Sequence, residues 1–408
     1  MDWSFLIACK DALNVTTDSR KVTPGSIFVA LKGEHFDGND FVEQAKAQGA
    51  EYVICGENAL AELQDLARAW RRTLDIPIIA ITGTNGKTTT KELTAAVLSK
   101  RYKVCYTQGN LNNQLGVPLT LLSITRAHEV AIVEMGASHP GDIKELVEIA
   151  EPTDALITNV GKAHLQGFGS FEGVMATKGE LYDWIIAHGG TIFYNADNPF
   201  LKEMLAASKS RYVDISKSRN LEISKYHTGT MPANTHLVGA YNAENVSAAM
   251  CIGTHFGISE EQAREAICSY VPTNNRSQLM QTERNTVVVD AYNANPTSMT
   301  AAIEAFDRSQ IFNSSNLQMP KAYILGAMRE LGEYSHLEHQ NIVNMLLERK
   351  ADKVLLVGEE YKETTAPYPI YDNVDALCEA LQKEPLVGYK ILLKGSRSNQ
   401  LEKVIPLL

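Results

Sequence analysis

The stretch Ile78-Ile79-Ala80-Ile81-Thr82-Gly83-Thr84-Asn85-Gly86-Lys87-Thr88-Thr89-Thr90 decides how this chain is read. A short apolar run ends in a turn bounded by Gly83 and Gly86, and a helical pattern over 91–98 follows. That order predicts a strand, a phosphate-binding loop and a helix. Glycines let the backbone curl until its N–H groups face one anion, and the helix dipole adds favourable potential there. Lys87 is placed to reach outer phosphates, and the Thr88 hydroxyl to sit on Mg²⁺. The general pattern G-x-x-x-x-G-K-[ST] does not fit, because Ile81 stands where its first glycine belongs. Gly83-Thr84-Asn85-Gly86-Lys87-Thr88 is a shorter form. A plain glycine-rich turn with a surface lysine shares the composition but does not require the flanking strand and helix.

The chain has 408 residues, too many for one ordinary core. Apolar residues make up 44% and charged residues 21%, the balance of a globular protein rather than a disordered one. A net charge of −10 argues against a nucleic-acid groove. No run is long enough to span a bilayer. Phe5-Leu6-Ile7-Ala8-Cys9 is too short for a signal-peptide core, and Asp2 stands where a basic flank belongs. Six scattered cysteines without C-x-x-C or metal-ligand spacing read as reduced thiols. We expect a cytoplasmic monomer with no nucleic-acid partner.

Outward from the loop, the pattern divides the chain into three α/β units. Residues 1–75 hold candidate strands at 26–31 and 52–55, a helix over 41–48 ended by Gly49, and a closing helix over 61–74. Over 76–273, strands at 129–134 and 155–160 alternate with helices, which argues a largely parallel sheet. Over 274–408, strands at 286–290, 322–326, 353–357 and 390–394 repeat the alternation, with Asn295-Pro296 as a helix start. The segment 309–319 is polar and unpatterned, and reads as a loop. Ligands of open α/β sheets bind beyond the carboxyl ends of the strands, so Glu134 and residues 159–164 share a rim with the phosphate loop.

Several residues on that rim suit chemistry. Glu134, ending an apolar strand, is either a Mg²⁺ ligand or a solvated strand end. His164 has a second-metal or phosphate role, or is a surface histidine. Lys178 lies seven residues from both Phe171 and Ile185, on the core-facing stripe of a helix capped by Ser170. Desolvation there lowers the pKa of an amine. A neutral amine reacts with CO₂ to give a carbamate, an anionic metal ligand; the alternative is a lysine that snorkels past the core. Asn242 and Asn245, three apart at a helix start, either read an adenine edge or serve as a simple cap. Arg276 and Asp290 contact ribose or phosphate, or form a surface ion pair.

With these residues in view the chain resembles the Mur ligases, the ATP-dependent amide-forming family of peptidoglycan synthesis. The resemblance runs from Thr17-Asp18-Ser19-Arg20 to Lys394-Gly395-Ser396-Arg397, and the phosphate loop is the family's own form. It is carried further by Gly109-Asn110-Leu111-Asn112-Asn113-Gln114, Glu134-Met135-Gly136-Ala137, Asn159-Val160-Gly161-Lys162-Ala163-His164, Asn275-Arg276-Ser277, Asp290-Ala291-Tyr292-Asn293-Ala294-Asn295-Pro296 and Gly326-Ala327-Met328-Arg329-Glu330. These segments are most similar to the branch that joins D-alanyl-D-alanine to UDP-N-acetylmuramoyl-tripeptide. The third unit lacks Asp-Asn-Pro-Arg, which marks ligases that add the third amino acid.

The resemblance implies a UDP-sugar domain, a central ATPase and a C-terminal Rossmann-like domain that brings the amine. It implies ATP contacts from Gly83, Thr84, Asn85, Gly86, Lys87, Thr88, Thr89, Asn242, Asn245, Arg276 and Asp290. It implies contacts to the UDP-tripeptide from Ser19, Arg20, Gly33, Asp37, Asn112 and Asn113, and to the dipeptide from Asn293, Asn295, Arg329, Ser335 and Lys394. Two Mg²⁺ ions would be held by Thr88, Glu134, His164 and a carbamylated Lys178, with Lys87, Glu134, His164 and Lys178 as the catalytic set. Folylpolyglutamate synthase resembles the ATPase and C-terminal parts but lacks a separate N-terminal UDP-sugar domain. A nucleotide switch that makes no bond would not need the third unit.

Overall fold

A computed structural model describes residues 3–8, 10–33, 36–212, 220–232, 234–237, 239, 241–273, 276–308, 319–349 and 351–408. The loop expected at 309–319 lies outside the described residues except for its last residue. The fold is mixed α/β, built on three sheets: a small N-terminal one, a central one that carries the phosphate loop and a Rossmann-like C-terminal one.

The N-terminal sheet is parallel, in the order β1 (Val15–Thr16), β2 (Ile27–Val29), β3 (Tyr52–Ile54). A short helix, Val42–Ala47, precedes Gly49, whose φ of 96° needs no Cβ. The central strands are β4 (Ile78–Thr82), β5 (Val104–Tyr106), β6 (Val130–Glu134), β7 (Asp154–Ile157), β8 (Gly190–Asn195) and β9 (Leu221–Tyr226). They pair in parallel in the order β5-β6-β4-β7-β8-β9. β4, β6 and β7 are buried along their whole length, which is why they read as unbroken apolar runs. β4 connects towards β5 on one side and β7 towards β8 on the other. The crevice between β4 and β7 is therefore the switch point at which such sheets bind ligands, and the phosphate loop opens there.

The C-terminal strands are β10 (Gln278–Gln281), β11 (Thr286–Asp290), β12 (Lys321–Gly326), β13 (Lys353–Val357), β14 (Ile370–Tyr371) and β15 (Lys390–Lys394). Their order is β10-β11-β15-β12-β13-β14, with only β10 antiparallel to its neighbour. Register sets Asp290 opposite Lys394.

The helix Ala59–Arg71, which the sequence pattern joins to the first unit, packs against both the N-terminal sheet and the central unit. Leu63, Leu66 and Trp70 share a buried cluster with Leu121 and Leu146. The Trp70 indole N–H donates to the Ile124 carbonyl at 2.8 Å, and the Arg71 guanidinium donates to the Ala150 carbonyl at 3.0 Å. Trp70→Ala is expected to cost about 3–5 kcal/mol, read as a lower urea midpoint for the first cooperative transition. An unchanged midpoint would contradict this packing. Among the described residues no helix is long and apolar enough to cross a membrane.

Candidate active site

The loop after β4 is shaped by close packing. Gly83 has a φ of 143°, and a Cβ there would lie 2.0 Å from Thr158 Oγ1. Gly86 has a φ of 80°, and a Cβ there would lie 2.3 Å from Asn245 Oδ1. The segment after β7 pins the loop. Thr84 N–H donates to Asn159 O at 2.9 Å, Asn85 N–H to Asn159 Oδ1 at 3.0 Å, and the Thr158 hydroxyl to Asn85 O at 2.6 Å. The helix Lys87–Leu98 starts directly behind. Lys87 Nζ donates to Gly83 O at 2.7 Å and Thr84 O at 3.1 Å. Desolvation lowers its pKa to about 8, helped by the Arg276 charge and opposed by Glu134.

Glu134 ends β6 and is 1% exposed. Its Oε1 accepts from Thr88 Oγ1 at 3.2 Å and from Asn112 Nδ2 at 2.8 Å. Its Oε2 is buried and has no hydrogen-bond partner. A buried carboxylate whose Oε1 lies beside a threonine hydroxyl at the mouth of the phosphate loop fits a divalent cation whose remaining ligands are phosphate oxygens or water. Among the described residues no three His, Cys, Asp or Glu side chains cluster as a complete metal site.

On the opposite wall, Ser170 caps the helix Phe171–His188, its Oγ accepting from Gly173 N–H at 3.1 Å. Lys178 lies among buried Val174, Leu181 and Ile185 and is only 2% exposed, so it does not snorkel to water. Its Nζ is 5.8 Å from the centre of the Phe168 ring. Desolvation holds its pKa well below the ordinary lysine value; Lys87 adds to that shift and Asp142 opposes it. His164, with a left-handed φ of 51°, pairs through Nδ1 with Glu330 of the C-terminal unit. Burial lowers its pKa.

The C-terminal unit closes the cavity. Lys394 Nζ is 2.6 Å from Asp290 Oδ2 and donates to Asn293 O at 3.1 Å. Arg276 lies 3.9 Å over the Tyr292 ring, with Arg397 at 5.1 Å. Asn295 donates from Nδ2 to Asn85 Oδ1 at 2.8 Å across the two units and accepts from Ser298 N–H at the start of the helix Pro296–Arg308. Lys162 pairs with Glu338 at 3.1 Å. Of the two readings open for Asn242, the structure does not show the simple cap. Tyr241 holds the cap position of the helix Asn242–His255, and the Asn242 amide oxygen instead accepts from Asn245 Nδ2 at 2.8 Å.

These groups enclose one cavity of about 510 Å³. Its wall takes in residues 83–89, Asn112, Asn113, Glu134, His164, Lys178, Asn242, Asn245, Arg276, Asp290, Asn293 and Lys394. Other candidates lie away from it. Arg329 pairs with Glu360 and donates to Ser398 Oγ at 3.2 Å, and Ser335 Oγ lies 3.3 Å from His339 Nδ1. Ser19 and Arg20 form a short turn beside the N-terminal sheet, where Arg20 pairs with Asp18 at 2.8 Å. Gly33 N–H donates to Phe36 O at 2.9 Å, and Asp37 Oδ1 accepts from Asn39 N–H at 2.9 Å; residues 34 and 35 of that loop lie outside the described residues.

Sequence reasoning passed over Tyr292, Lys91 and Glu330. The Tyr292 ring is a contact only once Arg276 is brought across from its own segment. Lys91 carried a signal, since it lies four residues after Lys87 and three after Thr88, on the same helix face. Glu330 carried none, because its partner is on another unit.

The chain matches the Mur ligase middle domain over residues 81–253, the glutamate-ligase domain of Mur ligases over 275–397, and the Mur ligase family catalytic domain over 13–103. It is 32% identical to the UDP-N-acetylmuramoyl-tripeptide–D-alanyl-D-alanine ligase of Bacillus subtilis, covering 96% of this chain and 92% of that protein. It is 33% identical to the enzyme of that name from Escherichia coli, covering 97% and 93%. The crystal structure of the MurF ligase of Thermotoga maritima in complex with ADP is similar at a TM-score of 0.80 and 26% identity, over 97% of both chains.

Proposed function

The chain belongs to the Mur ligase family, and from that premise we propose that it joins D-alanyl-D-alanine to UDP-N-acetylmuramoyl-tripeptide with cleavage of ATP to ADP and phosphate. This is a step of peptidoglycan precursor synthesis, in the cytoplasm. The observation that carries the reading is the single cavity in which the phosphate loop of the central unit faces Asp290, Asn293 and Lys394 of the C-terminal unit.

The terminal carboxylate of the tripeptide attacks the γ-phosphorus of ATP, and ADP leaves. The resulting acyl phosphate is attacked by the dipeptide amine, the amine loses a proton, and the tetrahedral adduct expels phosphate. Two anions meet in the first step. Lys87 and the loop N–H groups offset their repulsion by holding the phosphates in a desolvated site. Thr88 and Glu134 would hold one Mg²⁺, which would neutralise phosphate charge. With His164 Nδ1 engaged by Glu330, Nε2 is the nitrogen left for a ligand. Lys178, as its carbamate, would provide the carboxylate for a second ion. Asn242 and Asn245 suit the adenine edge, and Arg276 on Tyr292 suits the ribose or phosphate. Tripeptide labelled with ¹⁸O in its terminal carboxyl should deliver one ¹⁸O to the released phosphate. Phosphate free of label would reject the acyl-phosphate route.

The UDP end is proposed to bind at residues 17–20 and 33–37, on loops that present hydroxyl, N–H and charged groups, while Asn112 and Asn113 contact the tripeptide beside the ATPase. Arg20 is largely exposed, and its own pair with Asp18 leaves further N–H groups for a diphosphate. Arg20→Ala is expected to raise the KM for UDP-tripeptide several-fold and to spare that for dipeptide. Equal KM values for UDP-tripeptide in parent and variant would count against the assignment.

Reacting atoms must come within about 3–3.5 Å, so the dipeptide-bearing unit has to close on the ATPase rim. Asn295 with Asn85 and Lys162 with Glu338 are contacts of such a closed arrangement. The hinge is proposed at 272–275, of which 274 and 275 lie outside the described residues. Small-angle scattering of the active protein should record compaction when an ATP analogue and UDP-tripeptide are added together. Identical scattering with and without them would reject the hinge.

A further inference from the structure

Lys91 is buried to 0% exposure one helical turn beyond Thr88, yet it is not on the cavity wall. Its Nζ makes no hydrogen bond. It lies 3.6 Å from Glu134 Oε2 and 3.9 Å from Glu92 Oε1, with the centre of the Tyr106 ring at 5.8 Å. Glu92 accepts in turn from the Tyr270 hydroxyl. The Glu134 carboxylate thus has two unlike oxygens. Oε1 receives Thr88 and Asn112, while Oε2 is buried and faces only the Lys91 ammonium.

We propose that Lys91 is a positioning residue that makes Glu134 a one-oxygen metal ligand and so favours a small octahedral dication over calcium. This rests on the reading of Glu134 as a metal ligand. A dication bound to both oxygens would have to sit close to the Lys91 ammonium, a like charge in a dry environment where repulsion is poorly screened. Mg²⁺ takes one carboxylate oxygen at about 2.0–2.1 Å and completes its octahedron with phosphate and water; Ca²⁺ takes six to eight oxygens and accepts both from one carboxylate. Burial lowers the pKa of Lys91, and the neighbouring Glu134 and Glu92 carboxylates oppose that shift; the Glu92–Tyr270 contact fixes the second of them from behind.

The test uses Mn²⁺ with ADP as a spectroscopic stand-in for the magnesium nucleotide. Displacement of Mn²⁺ by Mg²⁺ and by Ca²⁺ is followed by electron paramagnetic resonance in the parent and in Lys91→Met. Calcium should gain about tenfold on magnesium in the variant, because the freed carboxylate can turn both oxygens to the ion. A purely structural lysine would lower stability and leave the ratio at its parental value, and an unchanged ratio overturns the proposal. A crystal structure of the parent with ADP and Mn²⁺ decides the matter even if the variant does not fold. Contact through Oε1 alone supports the proposal, and contact through both oxygens overturns it while leaving the ligand role of Glu134 intact. An ion that touches neither oxygen overturns both.

Discussion

Replacing Lys87 by alanine is expected to lower the ligation rate by about 10²–10³-fold or more, with UDP-tripeptide binding close to parental strength. Its Nζ lies over the loop carbonyls of Gly83 and Thr84, at the position where transferring phosphates would sit. The proposed uridine site is on another sheet, so the two functions should separate. Calorimetric titration of UDP-tripeptide into the variant, beside a rate for phosphate release, makes the check. Near-normal turnover would remove the phosphate loop from the mechanism. The lowered pKa of about 8 adds a pH signature. The ammonium is complete below that value and is lost as pH rises through it, so ATP affinity of the free enzyme should weaken above about pH 8.

Replacing Lys178 by alanine is expected to remove most activity, about 100-fold or more, and excess formate or acetate should restore part of it. The lysine is buried, and the repulsion from Lys87 reinforces the desolvation that favours the neutral amine. A neutral amine adds to CO₂ with loss of one proton, giving a carbamate. In the variant a small carboxylate can enter the vacated space and act as the missing ligand; in the parent the same anions should give no gain. A lysine that serves only as packing would lose stability on mutation and respond to neither anion. Electron density at Lys178 is the direct check, since the carbamate decomposes in acid. Unmodified ammonium density in fully active protein would reject the carbamate and leave the ligase reading standing.

Much of this architecture was legible in the sequence because parallel strands buried on both faces leave a strong mark. Strands 286–290, 353–357 and 390–394 read to their ends, since apolar residues stop abruptly at polar ones. The phosphate loop was legible because its chemistry is local: two glycines, a lysine and two threonines in six residues. Docking was not legible. The pattern over 61–74 announces an amphipathic helix but not the partner for its apolar face, and Trp70 finds that partner in Ile124 and Leu121. The same holds within the site. Lys91 with Glu134, and Arg276 with Tyr292, are neighbours only after β4, β6 and the C-terminal sheet have assembled. Asn242 left two readings open for a related reason, since a helix-start asparagine can bond its own backbone or a side chain one turn on, and here it takes the second.

ADP formation measured with UDP-tripeptide and D-alanyl-D-alanine supplied singly and together tests the central claim most directly. The account predicts ADP at the full rate only when both are present, in step with a product that carries the added dipeptide. Sustained ADP formation that does not depend on the dipeptide, or no dipeptide-bearing product when both are supplied, would contradict it.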